Sequence, residues 1–397
     1  MSTSLPRVLI VGGVDVRARI PLMERLRDEF ELVAVGVGPE PAFEGTGFRY
    51  LCYAPDQAAR VSPLDDLRAC FALARIFRAE RPRIVHAFDT KAGVWGCLAA
   101  RLAGVPSAVG TVNGLGFLFR SDTWKQRLLS KSYQALQTLA CAASSATVFQ
   151  NPDDARVFVE TGMVRREKVV LVPGSGVRTD RLDPARFPAQ ARAELRGALG
   201  IEPADIAVIM VTRVIRSKGV LDLLAAARAL RRTRPRLRFV LVGADEPESM
   251  DRLTEPELAS LRRELIWTGP RSDVPALLAA ADLMAFPSGY GEGIPRVLLE
   301  AAAMALPIVT SDSPGCREVV VPGVNGFLVP IGDAAALAGA LERLADDPAL
   351  RERFGENGRA RAVERFDLGV VAERTRSLYR ELLAHGAARP IAAGSLA

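Results

Sequence analysis

Two stretches of the chain set charged side chains at intervals fit for handling an anionic, hydroxyl-bearing ligand. The first, Arg213-Val-Ile-Arg-Ser-Lys-Gly219, follows the apolar run 206–212 and leads into a helical pattern. Arg213 and Lys218 thereby stand beside a helix N-terminus, where each charge-assisted contact to a diphosphate contributes roughly 1.5–3 kcal/mol. The other reading of this pair is a solvated loop charge. The second stretch, Ser288-Gly-Tyr-Gly-Glu-Gly-Ile-Pro-Arg-Val-Leu-Leu-Glu300, bares the backbone at Gly289, Gly291 and Gly293 and starts a helix at Pro295. Glu292 falls on the loop and Glu300 on the second helical turn, so both carboxylates can reach a ligand over that N-terminus. They can hold separate hydroxyl groups, such as those of a sugar and a ribose. Burying Glu300 in the apolar run 297–303 is costly without a partner, which is either a ligand or a nearby base.

Candidates in the first half are sparser. Gly12 and Gly13 close the run 8–11 without GxGxxG spacing, so a nicotinamide or flavin cofactor is poorly supported. Paired glycines still let a phosphate approach the backbone, although a tight turn explains them as well. His86 ends an expected strand and is either a packed strand-end residue or an acceptor contact. Asp89 and Lys91 divide likewise between acceptor binding and helix capping. No Asp-x-Asp occurs, and the chain has only two histidines, so no cluster has metal-ligand spacing. The charge of a departing diphosphate would then fall to Arg213, Lys218 and helix dipoles, a metal-independent arrangement with no cofactor.

The elements that must position these residues follow from the patterning. The 397 residues are 49% hydrophobic and 25% charged, an ordinary globular profile long enough for more than one domain. Apolar runs at 7–11, 31–35, 83–87, 108–112, 146–150 and 168–172 predict a first series of strands, and 206–212, 237–242, 266–268, 283–286, 307–310 and 326–329 a second. Helical patterns at 63–79, 124–142, 219–232, 275–281, 296–305, 333–345 and 368–384 lie between or after them. Continuously apolar strands separated by helices predict parallel sheets covered on both faces. The series breaks at Pro173–Asp183, read as a hinge. The expected class is therefore α/β, with two doubly wound Rossmann-like domains, 1–175 and 176–370, an interdomain cleft, and 371–397 forming a helix that packs back plus a frayed tail.

No run of ~20 apolar residues is available to span a membrane. The start reads as a buried strand, not a secretion signal. Five scattered cysteines without a CxxC pair fit a reducing, cytoplasmic setting. The net charge of +6 suits an anionic substrate or a membrane surface, and no basic tail or aromatic-basic module points to nucleic acid. Within 117–131, Phe117, Phe119, Trp124 and Leu128 interleave with Arg120, Lys125, Arg127 and Lys131. That pattern fits either an interfacial helix on an anionic leaflet or an amphipathic helix packed on the domain.

Glu292 with Glu300, Arg213 with Lys218, and Pro314-Gly-Cys-Arg-Glu318 together resemble glycosyltransferase family 4. The likeness extends to Val85-His-Ala-Phe-Asp-Thr-Lys-Ala-Gly93, Thr111-Val-Asn-Gly-Leu-Gly-Phe117, Phe149-Gln-Asn-Pro-Asp-Asp154 and Val172-Pro-Gly-Ser-Gly-Val177, which are similar to a branch building bacterial surface polysaccharides on undecaprenyl diphosphate. The resemblance implies the GT-B fold, a retaining reaction and a nucleotide-sugar donor. It assigns Arg213, Lys218 and Glu292 as catalytic residues. Gly293 and Ile294 would join Glu292 on the sugar, Glu300 would hold the ribose, and Ile266 and Val274 would flank the uracil. Asn113 stands where relatives often carry His and can donate a hydrogen bond but not act as a base. Gly12, Gly13, His86 and Asn113 complete the expected substrate-binding residues. The implied activity is transfer of a hexose or N-acetylhexosamine from a UDP-sugar to a lipid-linked saccharide at the inner face of the cytoplasmic membrane. Epimerisation of a UDP-sugar, or a non-catalytic role in envelope assembly, are the competing readings.

Overall fold

In the first half, runs of branched apolar residues become parallel strands: β1 (Arg7–Val11), β2 (Glu31–Val37), β3 (Arg49–Ala54), β4 (Ile84–Ala87), β5 (Ser107–Val112), β6 (Ala146–Phe149) and β7 (Val169–Leu171). The structure is a computed structural model and describes residues 5–13, 15–54, 62–116 and 124–385. The seven strands lie in the order β3-β2-β1-β4-β5-β6-β7. Each neighbouring pair is parallel, with Ile10 opposite Ala34 on one side and His86 on the other. Val8, Leu9, Ile10 and Val11 are wholly buried, as a strand covered on both faces must be.

The second half repeats the pattern with β8 (Ile206–Val211), β9 (Leu237–Val242), β10 (Ile266–Trp267), β11 (Leu283–Phe286), β12 (Ile308–Ser311) and β13 (Gly326–Val329). Their order is β10-β9-β8-β11-β12-β13. In each sheet the strand order reverses beside the first strand, between β1 and β4 and between β8 and β11. Loops leaving the carboxyl ends of those strands diverge there and open a crevice, the usual ligand position in such sheets.

The chain divides into two compact units, Met1–Ser175 with Leu368–Ala397, and Gly176–Asp367. The final helix, Leu368–His385, sends Leu368, Val371, Leu378, Tyr379 and Leu382 into the same core as Val8, Ile10 and Ile84. Position 370, the boundary drawn on the sequence, therefore lies inside this helix. Within the second unit, Val177 N–H donates to Phe366 O at 2.9 Å and the Thr179 hydroxyl to Asp367 Oδ2 at 2.6 Å.

Local chemistry sets the helix ends. The helix Pro63–Glu80 begins where Ser62 Oγ accepts the Asp65 N–H, with proline in its first turn, and ends at Arg81 in a left-handed conformation. The helix Thr90–Ala103 approaches the sheet so closely at Gly96 that a Cβ there would lie 2.7 Å from the Ala87 Cβ. β3 is a strand that the patterning did not reveal. It is the edge strand of the sheet, paired with β2, and its apolar stretch 50–54 is only partly buried, with Arg49 and Cys52 exposed. Residues 117–123 of the basic-aromatic stretch and the expected frayed tail from 386 lie outside the described residues.

Candidate active site

The loops after β8 and β11 meet backbone to backbone at the second switch point. Gly219 makes this possible: it has φ 77°, and a Cβ there would sit 2.1 Å from the Pro287 carbonyl oxygen. Gly289 N–H donates to Ser217 O at 2.9 Å, tying the loops together. Lys218 ends the short 3-10 turn Arg216–Lys218 and is only 6% exposed. Its Nζ donates to Glu292 Oε1 at 2.5 Å and stands 4.5 Å from the centre of the Tyr290 ring. Arg213 is exposed, with its guanidinium 6.0 Å from the same ring centre. Ser288, itself buried, donates to Glu292 Oε1 at 3.4 Å, while the other Glu292 oxygen takes neither bond.

This is an ammonium held out of water and neutralised by one carboxylate. The pair is neutral by itself, and Arg213 beside it leaves the loops one positive charge in excess for an anionic ligand. The structure thus brings Arg213, Lys218 and Glu292 together, with Tyr290 as a shared aromatic floor that the residue pattern did not single out.

The remaining candidates of this unit divide. Gly293 and Ile294 continue the same loop, and the Ile294 side chain is buried in the core. A Cβ on Gly315, in the helix Pro314–Val319, would lie 1.8 Å from Gly293 O, so this glycine is the seat on which the loop rests. Glu300 is paired with Arg296, one turn back, at 2.9 Å, which supplies the neighbouring base that the sequence left open. Burial pushes the Glu300 carboxyl above the usual carboxylate range, and Arg296 opposes that shift. Val274 begins the helix Val274–Ala280, half-buried against the core. Ile266 lies apart from these loops. It lines a groove with Arg228, Arg231 and Arg234 that includes none of residues 213–218 or 288–293, because it sits on β10 at the sheet edge.

At the first switch point the chemistry is different. Gly12 N–H donates to Val35 O and Gly13 N–H to Asp89 Oδ2, both at 2.9 Å. Both amides are bonded within the fold, as the tight-turn reading of the two glycines expects. Asn113 Nδ2 donates to the other Asp89 oxygen at 3.1 Å, and Gln150 Nε2 donates to Asn113 Oδ1 at 3.0 Å. Lys91 pairs with Asp66 at 3.1 Å.

Of the two readings of His86, the structure fits the packed strand-end residue. It is 3% exposed, and both ring nitrogens are used inside the fold, Nδ1 with the Tyr379 hydroxyl and Nε2 with Thr111 Oγ1, each at 2.7 Å. Burial, with Arg19 adding to it, pushes the imidazole down to about 3, so it is neutral in the folded chain. It joins β4 to the last helix. Among the described residues no group of three or more His, Cys, Asp or Glu side chains is placed to hold a metal ion.

A buried cation at the switch point of one of two doubly wound parallel units is the arrangement expected of a GT-B glycosyltransferase. Residues 191–361 match the glycosyl transferases group 1 family, and residues 13–175 the glycosyl transferase 4-like domain. Over 326 residues the chain is 33% identical to the alpha-maltose-1-phosphate synthase of Mycobacterium tuberculosis, covering 77% of this chain and 81% of that protein. Over 333 residues it is 27% identical to the UDP-Gal:alpha-D-GlcNAc-diphosphoundecaprenol alpha-1,3-galactosyltransferase of Escherichia coli, covering 83% and 84%. The solved structure of Anabaena HepE with UDP and glucose shares the fold, with a TM-score of 0.78 at 21% identity over 94% of this chain and 99% of that one. The chain belongs to the GT-B glycosyltransferases that join a glycosyl transferase 4-like domain to a glycosyl transferases group 1 domain.

Proposed function

We propose that the protein transfers a hexose or N-acetylhexosamine, with retention of configuration, from a UDP-sugar to a lipid-linked saccharide in bacterial surface polysaccharide synthesis. The observation that carries this reading is the buried Lys218 ammonium at the β8–β11 switch point, 2.5 Å from Glu292 and flanked by Arg213. In the proposed reaction Lys218 and Arg213 take the charge that builds on the diphosphate as the sugar departs. Pre-set charges of this kind contribute about 3–4 kcal/mol each to transition-state stabilisation by analogy with oxyanion donors. No metal is assigned a part. Glu292 turns its second oxygen to the sugar hydroxyls, with the Gly293–Ile294 backbone beside it, and Glu300 exchanges Arg296 for the ribose. The first unit takes the acceptor.

The E. coli relative, whose name gives a UDP-linked donor and an undecaprenol-linked acceptor, supports this assignment. Surface chemistry supports a peripheral place on the inner face of the cytoplasmic membrane. Trp124 and Leu128 are 71% and 61% exposed on one helix, beside exposed Arg127 and Lys131, a combination suited to an anionic leaflet. Among the described residues no helix is long and apolar enough to cross a membrane.

The test is a radiolabelled UDP-sugar panel offered with undecaprenyl-diphosphate N-acetylglucosamine, with glucose 1-phosphate and without acceptor. Labelled lipid supports the reading. Labelled sugar phosphate moves the acceptor to the class named for the mycobacterial relative. Isomerised donor makes the protein an epimerase, and no turnover of any donor makes it a non-catalytic member of an assembly. Full activity in a chelator is expected, and its loss would remove the metal-free mechanism.

A further inference from the structure

Asp89 holds a strained backbone that its own helix does not explain. It precedes the helix Thr90–Ala103 with φ 68° and ψ 165°, a region occupied almost only by glycine. An aspartate there ordinarily caps the helix through its carboxylate, yet Asp89 makes no side-chain cap bond. The carboxylate turns instead to the tips of neighbouring strands. Oδ2 accepts Gly13 N–H at 2.9 Å and Oδ1 accepts Asn113 Nδ2 at 3.1 Å, with Arg19 3.9 Å from Oδ1.

The consequence falls on Asn113. Its Oδ1 accepts from Gln150 at 3.0 Å while its Nδ2 faces Asp89. Flipping the amide would set donor against donor at one end and acceptor against acceptor at the other. Its orientation is therefore fixed, and an amide nitrogen carries two protons, of which Asp89 takes one.

Resting on the reading that this unit holds a saccharide, we propose that Asp89 is a positioning residue of that subsite, locking Asn113 so that its second N–H is preset for a substrate sugar hydroxyl. The backbone strain is kept because a glycine would relieve it but lose the lock. Function and stability therefore pull in opposite directions at this residue.

The test uses D89G and N113A in the full chain, with UDP-galactose and synthetic undecaprenyl-diphosphate N-acetylglucosamine. D89G is expected to unfold at the wild-type temperature or higher, while kcat/KM for the acceptor falls about 100-fold and KM for UDP-galactose stays unchanged. The double variant should lose no more than N113A alone. Activity that falls only in step with the unfolding temperature, or that persists in D89G, overturns the proposal. Should the wild type fail to use this substrate pair, the functional reading is what fails, and Asp89 is then judged by the Asn113 side-chain amide. Its proton pair, assigned by loss in N113A, should be resolved and slowly exchanging in wild type and averaged in D89G. An unchanged pair in D89G refutes the lock.

Discussion

The two sheets share a strand order and a switch point, yet the loops at those points carry opposite chemistry. At β8–β11 a buried ammonium faces a carboxylate, with an arginine outside it. At β1–β4 the neighbouring loops bring amides, glycines and the Asp89 carboxylate, whose two oxygens are both engaged, with Arg19 3.9 Å away to offset its charge. The first arrangement suits a multiply charged ligand, the second an uncharged one rich in hydroxyl groups. The topology thus fixes where ligands go, while a few loop residues decide which kind.

Removing Lys218 separates the two halves most sharply. Lys218→Ala should lower kcat by about 10²–10³ and weaken UDP binding, whereas Asn113→Ala should leave UDP binding unchanged. Steady-state UDP release and calorimetry check both. If the two variants weaken UDP equally, the division of labour is wrong. A smaller effect is expected from glycine. Gly219→Ala forces a Cβ against a carbonyl at 2.1 Å in a positive-φ site, whereas at Gly12 the nearest atom is a Val16 side-chain carbon at 3.0 Å. The first should cost about 3 kcal/mol in denaturant unfolding and the second about 1. Equal costs would mean that the second crevice is no more tightly built than the first.

The pH dependence of His86 is smaller still. An unfolded histidine takes its proton near 6.5, but in the fold this imidazole stays neutral down to about 3. Its contribution is therefore complete above pH 6.5 and lost on acidification from 6.5 toward 3, at up to about 1.4 kcal/mol per pH unit. Asp154, whose buried carboxyl is pushed up to about 7, runs the opposite way. The histidine term is accordingly read as the difference between wild type and His86→Phe. No difference in slope would show that the ring is not buried neutral. Smallest is Tyr379→Phe, which should cost about 1 kcal/mol of stability without changing UDP affinity.

These contrasts show what a sequence can reveal. Strands such as β9 and β11 were legible to the residue because each is an apolar run, interrupted in β9 only by Arg238, that ends at Gly243 or Pro287. Arg213, Lys218 and Glu292 were legible as charges stranded between apolar runs and glycines. Their pairing was not, since Lys218 and Glu292 are 74 residues apart. His86 was ambiguous for the same reason, because Tyr379, 293 residues on, carries no local mark of its partner. β3 hid because no α-helix separates it from β2, so its apolar stretch 50–54 falls outside the strand–helix alternation. At Asp89 the sequence left acceptor binding and helix capping open, and the backbone angles that set its carboxylate have no signature in residue order.

The central claim is that the β8–β11 loops bind the diphosphate of the donor. Titrating wild type and Lys218→Ala with UDP and with uridine tests it directly. The account predicts that UDP binds wild type far more tightly than uridine does, and that this advantage shrinks by at least about tenfold in Lys218→Ala while uridine affinity holds. An advantage of UDP over uridine that survives the substitution intact would contradict it.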